Sequence, residues 1–145
     1  TAPLTAIELT DNAGATDFHL TQISLDESGT LVVAPKNTNF RLQFDWAATD
    51  TACGGGNCRD QLEVGFHQQG SATAGHRSGC AIDQAISNVN VDTGAVDIAA
   101  YKTPNSTGVY ELRIHIAQNL ACTYNGANDY YGGEPTMVMA LFCLR

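Results

Sequence analysis

The residues best suited to chemistry gather in two glycine-containing stretches and in five cysteines. Tyr124-Asn125-Gly126-Ala127-Asn128-Asp129-Tyr130-Tyr131 sets amide and carboxylate groups among three aromatic rings. A sugar presents hydroxyls, which Asn and Asp can hydrogen-bond, and C–H patches, which an aromatic face can cover. Asn125, Asn128, Asp129, Tyr130 and Tyr131 are therefore the expected ligand-binding residues. A turn-rich connection with its tyrosines packed on a sheet edge would use the same residue types. His76 and Arg77, within Gly75-His76-Arg77-Ser78-Gly79, read as a second binding loop, because function concentrates on loops. His19, His67 and His115 fall on the polar phase of alternating segments and are expected to be exposed strand residues.

The cysteines are Cys53, Cys58, Cys80, Cys122 and Cys143. Structural zinc wants two close ligand pairs, and only Cys53-x4-Cys58 qualifies, so a disulfide framework is the expectation. The preferred pairing is Cys53–Cys58 with Cys80–Cys122, although other schemes stay open. In the loop-entropy picture these closures contribute about 2 and about 4 kcal/mol. Cys143 is left over as a candidate interchain disulfide. Disulfides persist in oxidising compartments, so secretion is expected. The Thr1-Ala2-Pro3 start is what a processed mature chain would show, and a trimmed chain would show the same; Asn105-Ser106-Thr107 matches the glycosylation-acceptor pattern.

Catalytic signatures are sparse. The chain has no Gly-x-Ser-x-Gly elbow, no His-Glu-x-x-His and no phosphate loop, since Gly54–Gly56 lacks the following Gly-Lys-Ser/Thr. Asp50, Asp60 and Glu63 are the candidates for a glycosidase carboxylate pair, whose spacing is a tertiary property. No catalytic residue is assigned. Asp11-Asn12-Ala13-Gly14-Ala15-Thr16-Asp17 is oxygen-rich enough to suggest Ca²⁺ but lacks EF-hand spacing, and turn chemistry explains it; no cofactor is expected.

Strands must position these groups. Phe40–Trp46, Leu62–His67 and Glu111–Ile116 alternate apolar and polar residues, which puts one face in a core and one in water. Further strands are expected over 4–10, 17–25, 30–34, 85–92, 95–101 and 136–144, with at most a short helical turn within 117–131. Turns are expected at Asp11–Gly14, Asp26–Gly29, Asp92–Gly94 and Thr103–Asn105. Many short strands at this spacing point to one all-β domain over residues 1–145, an antiparallel β-sandwich of jelly-roll type. Met137–Leu144 is apolar on both faces, as a central strand or a subunit contact would be. Strict alternation places Met137, Met139, Leu141 and Cys143 on one face.

The segment Cys53-Gly-Gly-Gly-Asn-Cys58-Arg-Asp60-Gln61-Leu-Glu-Val-Gly65 resembles a group of secreted microbial β-domains. In these a Cys-turn-Cys runs into Asp-Gln and a Gly-containing strand. Cys80, Gly108, Tyr110 and Cys122 continue the match, which covers roughly residues 40–124. Gly-Gly-Gly-Asn in the turn and Arg59 before Asp60 depart from it. The resemblance implies a fold and secretion but no chemistry. The general profile also resembles small invertebrate lectins of the sponge type.

Composition bounds the rest. With 145 residues the chain suits one domain, and its 43% apolar content can fill a core. Fifteen acids against seven bases give a net charge of −8. That balance opposes nucleic acid and anionic lipid as partners, and no apolar run is long enough for a helical membrane span. The expected function is non-enzymatic: an extracellular, lectin-like carbohydrate-binding protein whose homo-oligomers supply avidity for glycans or glycoconjugates. The alternatives are a structural or adhesive subunit, with Leu4–Leu9 adding as a strand to a neighbour, and a small secreted hydrolase.

Overall fold

The structure, a computed structural model, describes residues 6–10, 14–25, 31–52, 57–70, 76–116 and 137–145, with the backbone alone for 57, 58, 76–78 and 100. These residues are all-β and lie in two sheets. The strands are β1 (Ile7–Thr10), β2 (Thr16–Leu25), β3 (Leu31–Ala34), β4 (Asn39–Asp50), β5 (Asn57–Gln68), β6 (His76–Ser87), β7 (Asp92–Lys102), β8 (Gly108–Ile116) and β9 (Met137–Leu144). One sheet has four strands in the order β1-β2-β4-β7, and the other has five in the order β3-β9-β8-β5-β6.

Alternation drives the assembly. Along β4, Phe40, Leu42, Phe44, Trp46 and Ala48 are buried while Arg41, Gln43, Asp45, Ala47 and Thr49 point outward. On the five-stranded sheet Leu62, Val64 and Phe66 of β5 and Leu112 and Ile114 of β8 are almost fully enclosed. The inward side chains of both sheets form one hydrophobic cluster. Phe40 joins the layers, its ring 5.6 Å from Phe66 and 5.1 Å from Phe142. The buried Tyr101 hydroxyl of β7 crosses between them, donating to the Gly79 carbonyl at 2.7 Å and lying 3.1 Å from that of Val64. Each fully buried Leu or Phe stabilises the fold by about 1.5–3 kcal/mol, so this cluster supplies the dominant driving force.

Several expectations need correction. The pairing is not wholly antiparallel, because β3 runs parallel to β9. The expected strand at 85–92 is instead the end of β6, a turn at 88–91 and the start of β7. The Ser87 hydroxyl accepts from the amides of Val89 and Asn90, and the Asp92 carboxylate accepts from the amide of Ser87 at 2.5 Å. These bonds put the turn before Asp92-Thr93-Gly94. Gly94 sits within β7 opposite Trp46, whose indole lies across it; a Cβ there would come within 2.7 Å of the ring. The Thr103–Asn105 turn joins β7 to β8 as expected. The buried Thr103 hydroxyl donates to the Pro35 carbonyl at 2.9 Å and accepts from the Thr38 amide at 3.0 Å.

In β9 a register shift interrupts alternation. Ala140 faces Leu112, yet Val138, not Met139, faces Arg113. Met139 is therefore buried, and the shared face expected for Met137, Met139, Leu141 and Cys143 does not form. The β1 strand pairs with β2 of its own chain from Ile7 to Thr10 and forms one edge of the four-stranded sheet.

Candidate functional site

The outward face of the four-stranded sheet is a ladder of short polar side chains. Register aligns Thr10, Asp17 and Thr49 in one row and Glu8, His19, Ala47 and Thr93 in the next. Thr21, Asp45 and Ala95 form a third row, and Ser24, Gln43 and Asp97 a fourth. A bulge between Thr21 and Ser24, with Gln22 at φ 53°, lets β2 present Thr21 and Gln22 together before alternation resumes.

Three adjoining depressions run along this ladder. The first is bounded by Glu8, Asp17, His19 and Thr49, with Val91 as an apolar wall. The second shares His19 and Ala47 with the first and reaches Asp45 and Ala95. The third shares Asp45 and Ala95 with the second and ends at Gln43, Gln22 and Asp97. From Thr49 to Gln43 the track spans about 20 Å at ~3.4 Å per strand residue. Ala47 and Ala95 keep its floor low, and hydroxyl, amide, imidazole and carboxylate groups stand around it.

Local bonds hold the rim in place. Thr10 donates to Asp17 Oδ1 at 2.5 Å, and His19 Nδ1 lies 3.1 Å from Glu8 Oε1. Arg41 grips Asp97 through two bonds of 2.8 and 2.6 Å. That hydrogen-bonded guanidinium holds the Asp97 carboxyl below the usual carboxylate range. Geometrically the arrangement suits an extended, hydroxyl-bearing ligand laid across the strands.

The five-stranded sheet carries a different feature on its outward face. Glu63 of β5 and His115 of β8 are directly opposite partners, both fully buried, with His115 Nε2 3.7 Å from Glu63 Oε2. His67, two rows away, is buried as well. The expectation of exposed His67 and His115 is thus wrong, because this end of the sheet is enclosed on both faces: every residue from Gln61 to His67 is buried. His19 is exposed as expected. Burial of the pair leaves no signal in the sequence, since Glu and His on the polar phase of a strand look the same whether covered or wet.

Asn125, Asn128, Asp129, Tyr130 and Tyr131 lie outside the described residues, as do Cys53 and Cys122. His76 and Arg77 belong to strand β6 and not to a loop; β5 recruits them by pairing, with His76 opposite Phe66. Of the carboxylate candidates, Asp50 is buried at the end of β4, where it accepts from the Ala52 amide at 3.0 Å. Asp60 and Glu63 sit an odd step apart on β5 and so face opposite ways. Asp17 of the oxygen-rich loop is engaged by Thr10, and among the described residues no group of three or more His, Cys, Asp or Glu could hold a metal.

Cys80 is buried and disulfide-bonded, its partner lying outside the described side chains. It faces Glu63, whereas Cys58 faces Ile86. Five strand positions separate Glu63 from Cys58, about 17 Å, so Cys58 is beyond the ~7 Å Cα limit for bridging to Cys80. Cys143 is free and exposed. No family model matches the chain, and no curated protein matches it.

Proposed function

We propose that this protein is an extracellular carbohydrate-binding domain, a β-sandwich of jelly-roll type stabilised by disulfides, that holds a glycan along the outward face of its four-stranded sheet. The observation that carries this reading is the run of three adjoining depressions from Glu8 to Asp97, floored by alanine and edged by hydrogen-bonding groups. Phe18, Phe44 and Trp46 are turned into the core, so the groove grips through hydrogen bonds more than through stacking. Affinity per site is then modest, and repeated sites on an oligomer would raise it. Glu8, Asp17, Asp45 and Asp97 make the surface acidic, which favours neutral or basic sugars over sulfated or uronic ones.

The loop containing Asn125, Asn128, Asp129, Tyr130 and Tyr131 is the rival location within the same function. It joins Ile116 to Met137 on the other sheet. For Cys80, Cys122 is the preferred partner. It lies six residues beyond Ile116, which is level with Leu62 and two strands from Ile82, a span well within the reach of that many residues.

A glycan array with purified protein tests the reading. Neutral or amino-sugar glycans should bind, and Ala47→Tyr, which fills the groove floor, should abolish binding with the melting temperature nearly unchanged. Loss of binding in Asn128→Ala and Tyr130→Ala, with Ala47→Tyr unaffected, would move the site to the loop. An empty array for the parent protein would remove the function.

A further inference from the structure

Most of the large apolar side chains exposed among the described residues lie on β3, β8 and β9. Register places Val33, Cys143 and Val109 side by side across the outward face of these strands, with Leu31 and Leu141 in the next row. Leu31 and Val33 are each 53% exposed, and the free Cys143 thiol stands between Val33 and Val109. Contiguous exposed apolar surface of this kind marks an interaction site. We infer that this face, with Cys143 at its middle, is a contact between two copies of this chain.

Self-complementary placement of Arg145 and Glu111 fits a second copy as the occupant. A chain of net charge −8 opposes its own association, yet Lys36, Arg113 and Arg145, three of its seven bases, border this patch. The acid in the same rows is Glu111, already bonded to Arg113 at 2.7 Å. The rows are also self-complementary about Cys143. Glu111 faces Leu141, two residues before Cys143, while Arg145 lies two residues after it. A two-fold axis crossing the strands at Cys143 lays Arg145 of one copy over Leu141 of the other, within reach of the adjacent Glu111, and sets Val33 and Val109 on apolar neighbours. The same axis sets thiol against thiol. A small-molecule disulfide oxidant then converts the two Cys143 thiols to one interchain disulfide, taking up two electrons and two protons and leaving as two thiols. This contact does not depend on what the opposite face binds.

Sedimentation equilibrium and non-reducing electrophoresis test the inference on protein purified without reductant and then treated with oxidised glutathione. The expected result is a species of twice the chain mass containing a Cys143–Cys143 peptide. Cys143→Ser should keep a non-covalent dimer, and Val33→Asp in that background should weaken it at least tenfold. Arg145→Glu should weaken it as well, and adding Glu111→Arg should restore it. Circular dichroism on each variant separates lost association from lost fold. A chain of single mass carrying only a Cys143–glutathione adduct would overturn the proposal. So would an open-ended ladder of sizes, which belongs to a filament and not to a closed pair.

Discussion

The outward faces of the two sheets begin from the same alternating code and reach opposite ends. On the four-stranded sheet the polar phase stays wet, and Asp17, His19, Asp45 and Asp97 edge an open groove. On the five-stranded sheet the polar phase of β5 and β8 is enclosed, so Glu63 and His115 become a buried acid–base pair. At its other edge the outward phase of β3 and β9 is apolar and exposed. Alternation therefore tells which residues share a face, whereas the fate of that face depends on what the rest of the chain lays over it.

The largest effect expected from breaking this contrast is at Glu63. Removing one member of a buried acid–base couple typically costs about 3–5 kcal/mol where the two carry opposite charges. Glu63→Ala should lower urea stability by that order, while Glu63→Leu with His115→Leu should stay much closer to the parent. Equal losses in single and double variants would show that the pair itself is not what matters. Asp45→Ala, on the open face, should change stability by less than about 0.5 kcal/mol.

Second in size is the Cys80 bridge, whose loss should cost about 2–5 kcal/mol. Peptide mapping should join Cys80 to Cys122, and Cys80→Ser with Cys122→Ser should melt far below the parent. A native peptide joining Cys80 to Cys53 would refute that pairing.

Gly94→Ala comes next. Its Cβ would meet the Trp46 ring at 2.7 Å, and overpacking of this kind costs about 1–3 kcal/mol. A melting temperature equal to that of the parent would mean that β7 and the indole shift apart freely.

The same position shows where sequence reading stops. Phe40–Trp46, Leu62–His67 and Glu111–Ile116 are legible as strands because their alternation is unbroken, and each lies within a strand of the fold. Asp92-Thr93-Gly94 carries turn chemistry, but the turn forms four residues earlier, where Ser87 and Asp92 satisfy backbone amides. β6 was hidden because His76-Arg77-Ser78-Gly79 has loop composition and becomes a strand only by pairing with β5. The groove was illegible for another reason. Its rows join β1, β2, β4 and β7 through tertiary register, and residues such as Ala47 and Ala95 matter there by being small.

The smallest effect concerns the groove rim. The hydrogen bond from Arg41 lowers the Asp97 carboxyl below its ordinary value in the folded state. The stabilisation from this bond is therefore present above the unfolded carboxylate range, near pH 4, and is lost as pH falls through the depressed folded value. Proton titration followed by NMR should show Asp97 moving back up toward the ordinary range in Arg41→Ala. An unchanged midpoint would mean that Arg41 does not hold that carboxylate in solution.

Amide chemical-shift mapping with a glycan that scores on the array tests the central claim most directly. Perturbations should concentrate at the outward positions of β2, β4 and β7, above all His19, Asp45, Ala47 and Ala95, and should disappear in Ala47→Tyr. Shifts confined to the Asn125–Tyr131 segment, with those four amides unmoved, would contradict the account.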